Sequence, residues 1–184
     1  TDMRNFTGLS DRLPGDAVIE LLDDYFDAIV SPIQENKGEI LKFMGDGVLA
    51  IFPADDDEDF APSSLRALEA ATQGLDRLAE INRERRESER SEMRTGIGLH
   101  LGEVIYGNVG AADRLDFTVV GPAVNEVARI EAWCEPLDRA VLISAEFAAA
   151  VADTENRLVS LGRYDLRGIR EAKEIFALAS PAGS

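Results

Sequence analysis

The sequence predicts a mixed α/β chain folded as an α+β sandwich, one mostly antiparallel sheet with helices packed on it. Three observations carry that expectation. Two apolar, β-prone runs flank Gly45-Asp46-Gly47 within residues 40–52, the pattern of a tight hairpin. Segments 14–30 and 62–86 repeat apolar residues at three- and four-residue intervals, as amphipathic helices do. The last third then alternates short β-prone runs at 141–143, 157–160 and 174–178 with one short helix at 144–151. The 184 residues suit one domain spanning 1–184, and no repeat, low-complexity tract or linker divides them.

Composition narrows the function classes. With 45% hydrophobic and 29% charged residues the chain is of ordinary soluble globular type. Lys plus Arg number 19 against 35 Asp plus Glu, so the formal charge is 19 − 35 = −16. That balance argues against nucleic acid as a partner, which needs a basic face. A polyanionic ligand would have to be held by a few local cations or by metal. Cys134 is the one cysteine, which excludes an internal disulfide and a cysteine-cluster metal site and points to a reducing, cytoplasmic setting. No apolar run reaches the length of a membrane span, and no signal-peptide pattern is seen. Because the chain opens at Thr1-Asp2, we read it as a piece of a longer protein cut just inside its first strand. Membrane attachment of that parent stays open.

Taken in order, Asp2 precedes Phe6, Leu9 and Leu13, which are spaced for a short helix. There Asp2 reads either as an N-cap or as a carboxylate beside exposed N–H groups that suit phosphate. Helix 14–30 follows, with Val18, Leu21, Leu22, Tyr25, Phe26 and Ile29 as its core stripe and Pro14 at its start. Gly38 breaks into the hairpin, whose glycines let the chain reverse at Asp46. Asp46 is either turn chemistry or a rigidly held carboxylate facing beyond the sheet edge. The acidic run 55–59 reads as a solvated loop rather than a cation site.

Helix 62–86 buries Leu65, Leu68, Leu75, Leu78 and Ile81 and ends in a mixed-charge stretch. Segments 94–102 and 103–110 then read as a hairpin turning at Gly102-Glu103. His100, the only histidine, sits in that strand and reads as a hydrogen-bonded core or interface residue. Strand 115–121 runs into a helix opened by Pro122, on which Asn125 and Arg129 are four apart and share a face. Together they suit an anionic ligand, the arginine through its planar fork of donors; a surface arginine beside a helix-internal asparagine is the alternative. Arg167-Gly168-Ile169-Arg170 forms a basic turn between the last strands, a candidate phosphate contact.

Four segments, in order and at matching spacing, resemble the signature segments of class III nucleotidyl cyclase catalytic domains. They are Asp2 with Phe6-Thr7, Lys42-Phe43-Met44-Gly45-Asp46-Gly47, residues 96–103, and residues 117–129 with Asn125 and Arg129. The likeness runs to about Glu131 and is weaker beyond. It implies a ferredoxin-like palm core and an adenylate cyclase, a phosphorus–oxygen lyase making cyclic AMP from ATP in signal transduction. It implies that Asp2 and Asp46, with Met3 beside them, bind two divalent cations, Mg²⁺ or Mn²⁺, that clamp the triphosphate. Lys42 matches the lysine that reads adenine, and Thr118 falls where many members carry a base-reading Asp, as in the subgroup often activated by bicarbonate. Asn125 matches the residue that orients the ribose and Arg129 the one that stabilises the transition state. Phe6 and Thr7 belong to the substrate-binding set, and Arg167 or Arg170 to the contacts with the terminal phosphates.

The resemblance further implies a homodimer with two shared active sites, and regulatory domains in the parent chain. A guanylyl cyclase is the near alternative, disfavoured because guanine-selective members typically carry Glu at the position of Lys42. A non-catalytic cyclase-homology module for dimerisation or nucleotide sensing is the second. A diguanylate-cyclase-like palm is a third, without its Gly-Gly-Asp/Glu-Glu-Phe segment here.

Overall fold

Glycines alternate with Ile97 and Leu99 in the strand that sits at the heart of this fold, leaving one of its faces apolar and the other bare. The structure, a computed structural model, describes residues 1–54, 59–111, 114–152, 158–169 and 171–179, and between 109 and 118 the backbone only. The chain runs β1 (Asp2–Met3), α1 (Phe6–Ser10), α2 (Gly15–Glu35), β2 (Glu39–Met44), β3 (Gly47–Ile51), α3 (Ala61–Glu87) and β4 (Thr95–Leu99). It continues through β5 (Ile105–Ala111), β6 (Arg114–Val120), α4 (Pro122–Ala132), β7 (Val141–Ser144), α5 (Ala145–Val151), β8 (Leu158–Tyr164) and β9 (Lys173–Leu178). Five strands form the main sheet in the order β1-β4-β7-β9-β8, antiparallel except for the β4–β7 pair. Strands β2–β3 and β5–β6 form two separate hairpins.

Alternation along β7 puts helices on both faces of the sheet. Val141 and Ile143 pack with Ile97, Leu99, Phe147 and Leu68, the side of α3 and α5. Leu142 points the other way, onto Ile130 and Cys134 at the end of α4. A third cluster joins Met3, Leu21, Tyr25, Ile29 and Val48, so α2 holds β1 and the β2–β3 hairpin together. No described helix is long and apolar enough to cross a membrane.

Four expectations are corrected. The hairpin foreseen across Gly102-Glu103 does not form: β4 pairs with β1 and β7, and β5 pairs with β6. The cause is burial on both faces of β4, which makes it a central strand, whereas β5 starts with Ile105 73% exposed and leaves the sheet. Asp2 is not a helix cap, because it lies in β1 opposite Gly96 and the N-cap of the five-residue α1 is Asn5. Helix α2 runs past residue 30 through Pro32 to Glu35, because Pro32 and Ile33 are still buried. The last strands are also longer than their apolar runs, β8 reaching Tyr164 past a bulge between Ser160 and Gly162. Of the acidic run, 55–58 lie outside the described residues; Asp59 accepts a hydrogen bond from the Ala61 N–H at 3.1 Å.

Candidate active site

The β2–β3 register ends at Met44 opposite Gly47, so Gly45-Asp46 is a two-residue loop. Gly45 has φ 66°, the left-handed value that the first loop residue of such a hairpin needs and a side chain resists. Asp46 is therefore held at the tip by turn geometry. Asp2 comes to it from the edge strand β1, and Gly47 makes room for the approach: a Cβ there would lie 2.8 Å from the Thr1 carbonyl and 3.3 Å from Asp2 Oδ1. The two carboxyl groups face one another. Burial and the nearby charge of Asp46 together push the Asp2 carboxyl above its ordinary value. Two opposed carboxylates are a donor set for a hard divalent cation, which would relieve the repulsion that now favours a proton. These residues fit Mg²⁺ or Mn²⁺.

Asp2 is fixed from behind. The Thr95 hydroxyl donates to the Asp2 carbonyl at 3.1 Å and meets Tyr25 Oη at 2.8 Å, and the Val48 N–H donates to the Thr1 carbonyl at 3.1 Å. Tyr25 is fully buried, so α2 locks β1 and β3 in one arrangement. Met3 is 3% exposed with its side chain in the same core, and its main-chain carbonyl is the one oxygen it can offer a cation. Phe6 packs against that core and Thr7 is exposed, both on α1 just behind Asp2.

Helix α4 lies on β4 where β4 has no side chains. A Cβ on Gly98 would fall 2.7 Å from the Val127 carbonyl, and one on Gly96 would collide with the Arg4 guanidinium and Glu131. Arg4 and Glu131 pair at 3.1 Å across that gap. Glu131 is thereby a third carboxylate near Asp2 and Asp46, its proton affinity raised chiefly by burial. This pair was not found in the sequence, although alternating glycines in a strand are the mark of close approach by another segment.

Arg129 takes a different direction. Two places from Val127 and from Glu131, it projects about 200° round the helix from them, at ~100° per residue. Its guanidinium lies against Gly168, where a Cβ would sit 3.3 Å from Nη2. Arg129 is thus beside the turn that carries Arg167, itself exposed, just before β9. Strand β9 is three places from β1 in the sheet, roughly 14 Å at about 4.8 Å per strand. Asn125 is exposed on α4, and Lys42 is exposed on β2, one residue past a bulge. The structure therefore brings Asp2 to Asp46, and Arg129 to the Arg167 turn, as two groups. A cleft of about 1000 Å³ between the β2–β3 hairpin, β4 and α4 is bordered by Asp2, Val48, Leu99, Asn125, Val127 and Phe147. The Thr118 backbone pairs with Gly107 in the β5–β6 hairpin; its side chain, like the whole of Arg170, lies outside the described residues.

The chain is 36% identical over 185 residues to the uncharacterized protein MT1361 of Mycobacterium tuberculosis (strain CDC 1551 / Oshkosh), covering 98% of this chain and 30% of that one. The chain therefore spans about 30% of the length of this curated relative. Among solved structures, the guanylyl cyclase Cya2 superposes with a TM-score of 0.81 at 28% identity, covering 96% of this chain and 87% of that one. A bacterial light-regulated adenylyl cyclase gives a TM-score of 0.82 at 30% identity, covering 96% and 85%. Residues 1–180 match the family described as the adenylate and guanylate cyclase catalytic domain. The match spans nearly the whole chain and the α+β architecture agrees with that of these solved structures, so the chain belongs to that family.

Proposed function

We propose that residues 1–184 form one catalytic domain, an adenylyl cyclase that converts ATP to 3′,5′-cyclic AMP and pyrophosphate in sites shared between two copies. The observation that carries this reading is the opposition of the Asp2 and Asp46 carboxyl groups at the turn of the β2–β3 hairpin. Asp2, Asp46 and the Met3 carbonyl would hold two divalent cations. Such ions, when bound, lower the proton affinity of the ribose 3′-hydroxyl and offset charge on the triphosphate.

The chain's own residues do the rest. Lys42 donates a hydrogen bond to an adenine ring nitrogen, and the Thr118 hydroxyl accepts one from the exocyclic amine. Asn125 orients the ribose so that its 3′-oxygen stands in line with the α-phosphorus. Arg129 meets the charge that grows on the phosphoryl oxygens as the new P–O bond forms and the bond to pyrophosphate breaks, the contact worth most in the transition state. Arg167 or Arg170 holds the terminal phosphates, with Phe6 and Thr7 lining the phosphate end behind Asp2.

A shared site follows from the separation of the two groups. Within one chain Arg129 lies over the turn before β9, away from the edge strand that bears Asp2. A two-fold related copy supplies the missing half to each site. The flank of the cleft suits such a contact: Phe43, Met44, Val104, Ile105 and Tyr106 are 39–73% exposed, an apolar belt beside the Asp46 turn and the start of the β5–β6 hairpin.

The test is cyclic AMP formation from ATP with Mg²⁺ or Mn²⁺. Wild type is expected to turn over, and Asp46→Ala to lose at least about a hundredfold with its fold intact, since one carboxylate cannot hold the ion pair. Turnover that survives the substitution overturns the reading. Guanylyl cyclase activity is the second reading, favoured by the 28% identity to Cya2. A competition of ATP against GTP on wild type and Lys42→Glu separates them: the substitution is expected to shift preference toward GTP by at least about tenfold, the scale of one base-reading hydrogen bond. On Thr118 rests a further part of the proposal, activation by bicarbonate; activity at fixed pH that ignores added bicarbonate removes it.

A further inference from the structure

His100, the one histidine of the chain, stands just past the end of β4 and has no part in the chemistry above. Its side chain is 6% exposed, and Nδ1 is buried without a hydrogen-bond partner. The other edge of the ring is closed off, since a Cβ on Gly102 would lie 2.8 Å from Nε2. Nδ1 faces carboxylates. It is 3.9 Å from Glu146 Oε2, and one ligand atom from each of His100, Glu126 and Glu146 lies within 4.8 Å of the others. Glu126 Oε1 is likewise buried and lacks a hydrogen bond of good alignment. The cation now in this nest is the Lys173 ammonium, 2.9 Å from Glu126 Oε1 and 2.9 Å from Glu146 Oε1.

We propose that His100, Glu126 and Glu146 form a zinc site, in which Zn²⁺ takes the place of the Lys173 ammonium. One imidazole nitrogen with two carboxylate oxygens is a zinc donor set; Mg²⁺ and Ca²⁺ prefer oxygen alone. Bonds of about 2.0–2.1 Å in tetrahedral array put ligand atoms roughly 3.4 Å apart, so the cluster has to contract modestly. Glu146 can make that movement, being 43% exposed, and the 30% exposed Lys173 can swing to solvent from the first residue of β9. The same open side admits a water as fourth ligand. Charge favours the exchange. Two carboxylates and one ammonium leave a net −1, whereas Zn²⁺ neutralises both carboxylates. The ligands come from the end of β4, from α4 beside Asn125 and from the start of α5, so the ion would tie three elements at one point. The site is separate from the all-oxygen Asp2–Asp46 pair.

The experiment titrates the full chain, free of any histidine tag, with Zn²⁺ alone in excess Mg²⁺. The readouts are equilibrium dialysis and imidazole ¹⁵N resonances, which a single histidine makes unambiguous. One Zn²⁺ per chain is expected, with a shift of the Nδ1 resonance. Glu146→Gln should weaken binding at least tenfold, Lys173→Met should tighten it at least tenfold by removing the competitor, and Asp46→Asn should leave it unchanged. An Nδ1 signal that stays fixed at zinc saturation in wild type overturns the proposal. So does zinc binding that ignores Glu146→Gln, which would put the ion elsewhere. The wild-type imidazole signal decides the matter even if a variant fails to fold.

Discussion

At the residue scale, two buried groups hold their protons above the usual range and make the fold sensitive to alkali. Burial pushes the Cys134 thiol up from 9.0 to about 11, and burial likewise pushes the Tyr25 hydroxyl from 10.0 to about 12. In the unfolded chain both ionise earlier, so above pH 9 the unfolded state binds fewer protons than the native one. Stability is thus fully present below the unfolded values and falls as pH rises toward 11 and 12. Each difference between the folded and unfolded values corresponds to on the order of 3 kcal/mol when complete. Urea midpoints should fall steadily between pH 8.5 and 11 and fall less for Tyr25→Phe; a flat profile would contradict the burial argument. Residue identity also fixed what could be read in advance. The Asp46 turn was legible because its glycines act locally, and Asn125 with Arg129 because four residues make one helical face. The opposition of Asp2 to Asp46 could not be read from residue spacing, since a strand pairing and a hairpin turn bring them together over 44 positions of chain.

At the element scale, α4 depends on the bare face of β4. Gly98→Ala would gain about 0.4–1 kcal/mol from a stiffer unfolded chain. It would lose more, about 1–3 kcal/mol, because the new Cβ lies 2.7 Å from the Val127 carbonyl and 3.1 Å from the Glu131 main chain, and a helix backbone cannot step aside as a side chain can. Gly98 has no left-handed backbone angle, so this clash alone decides the sign. The expected result is net destabilisation of about 1–2 kcal/mol in urea unfolding, with loss of cyclase activity exceeding the loss of folded protein as Asn125 and Arg129 are displaced. An Ala variant as stable and active as wild type would refute the close seat. The strand itself was legible; its partners were not. Alternation marks a strand but does not name its neighbours, so residues 94–102 read as the partner of 103–110, whereas burial on both faces goes with pairing of β4 to β1 and β7.

At the scale of the whole molecule, the chain carries two separate groups, the Asp2–Asp46 carboxylates and Arg129 beside the Arg167 turn, which the proposed function takes as the two halves of a shared site. The sequence shows the residue set for both halves but not their separation, because direction around α4 and position across the sheet emerge only on folding. A shared site predicts that two dead variants cure each other. Asp46→Ala spoils the carboxylate half and Arg129→Ala the other, so each homodimer has no intact site. Equal mixing places half the dimers as heterodimers, each with one good site of two, and about a quarter of wild-type activity is expected. The decisive measurement is therefore cyclic AMP formation by the remixed variants: recovery to about one quarter supports a site built by two chains, and a mixture as inactive as its separate components contradicts it.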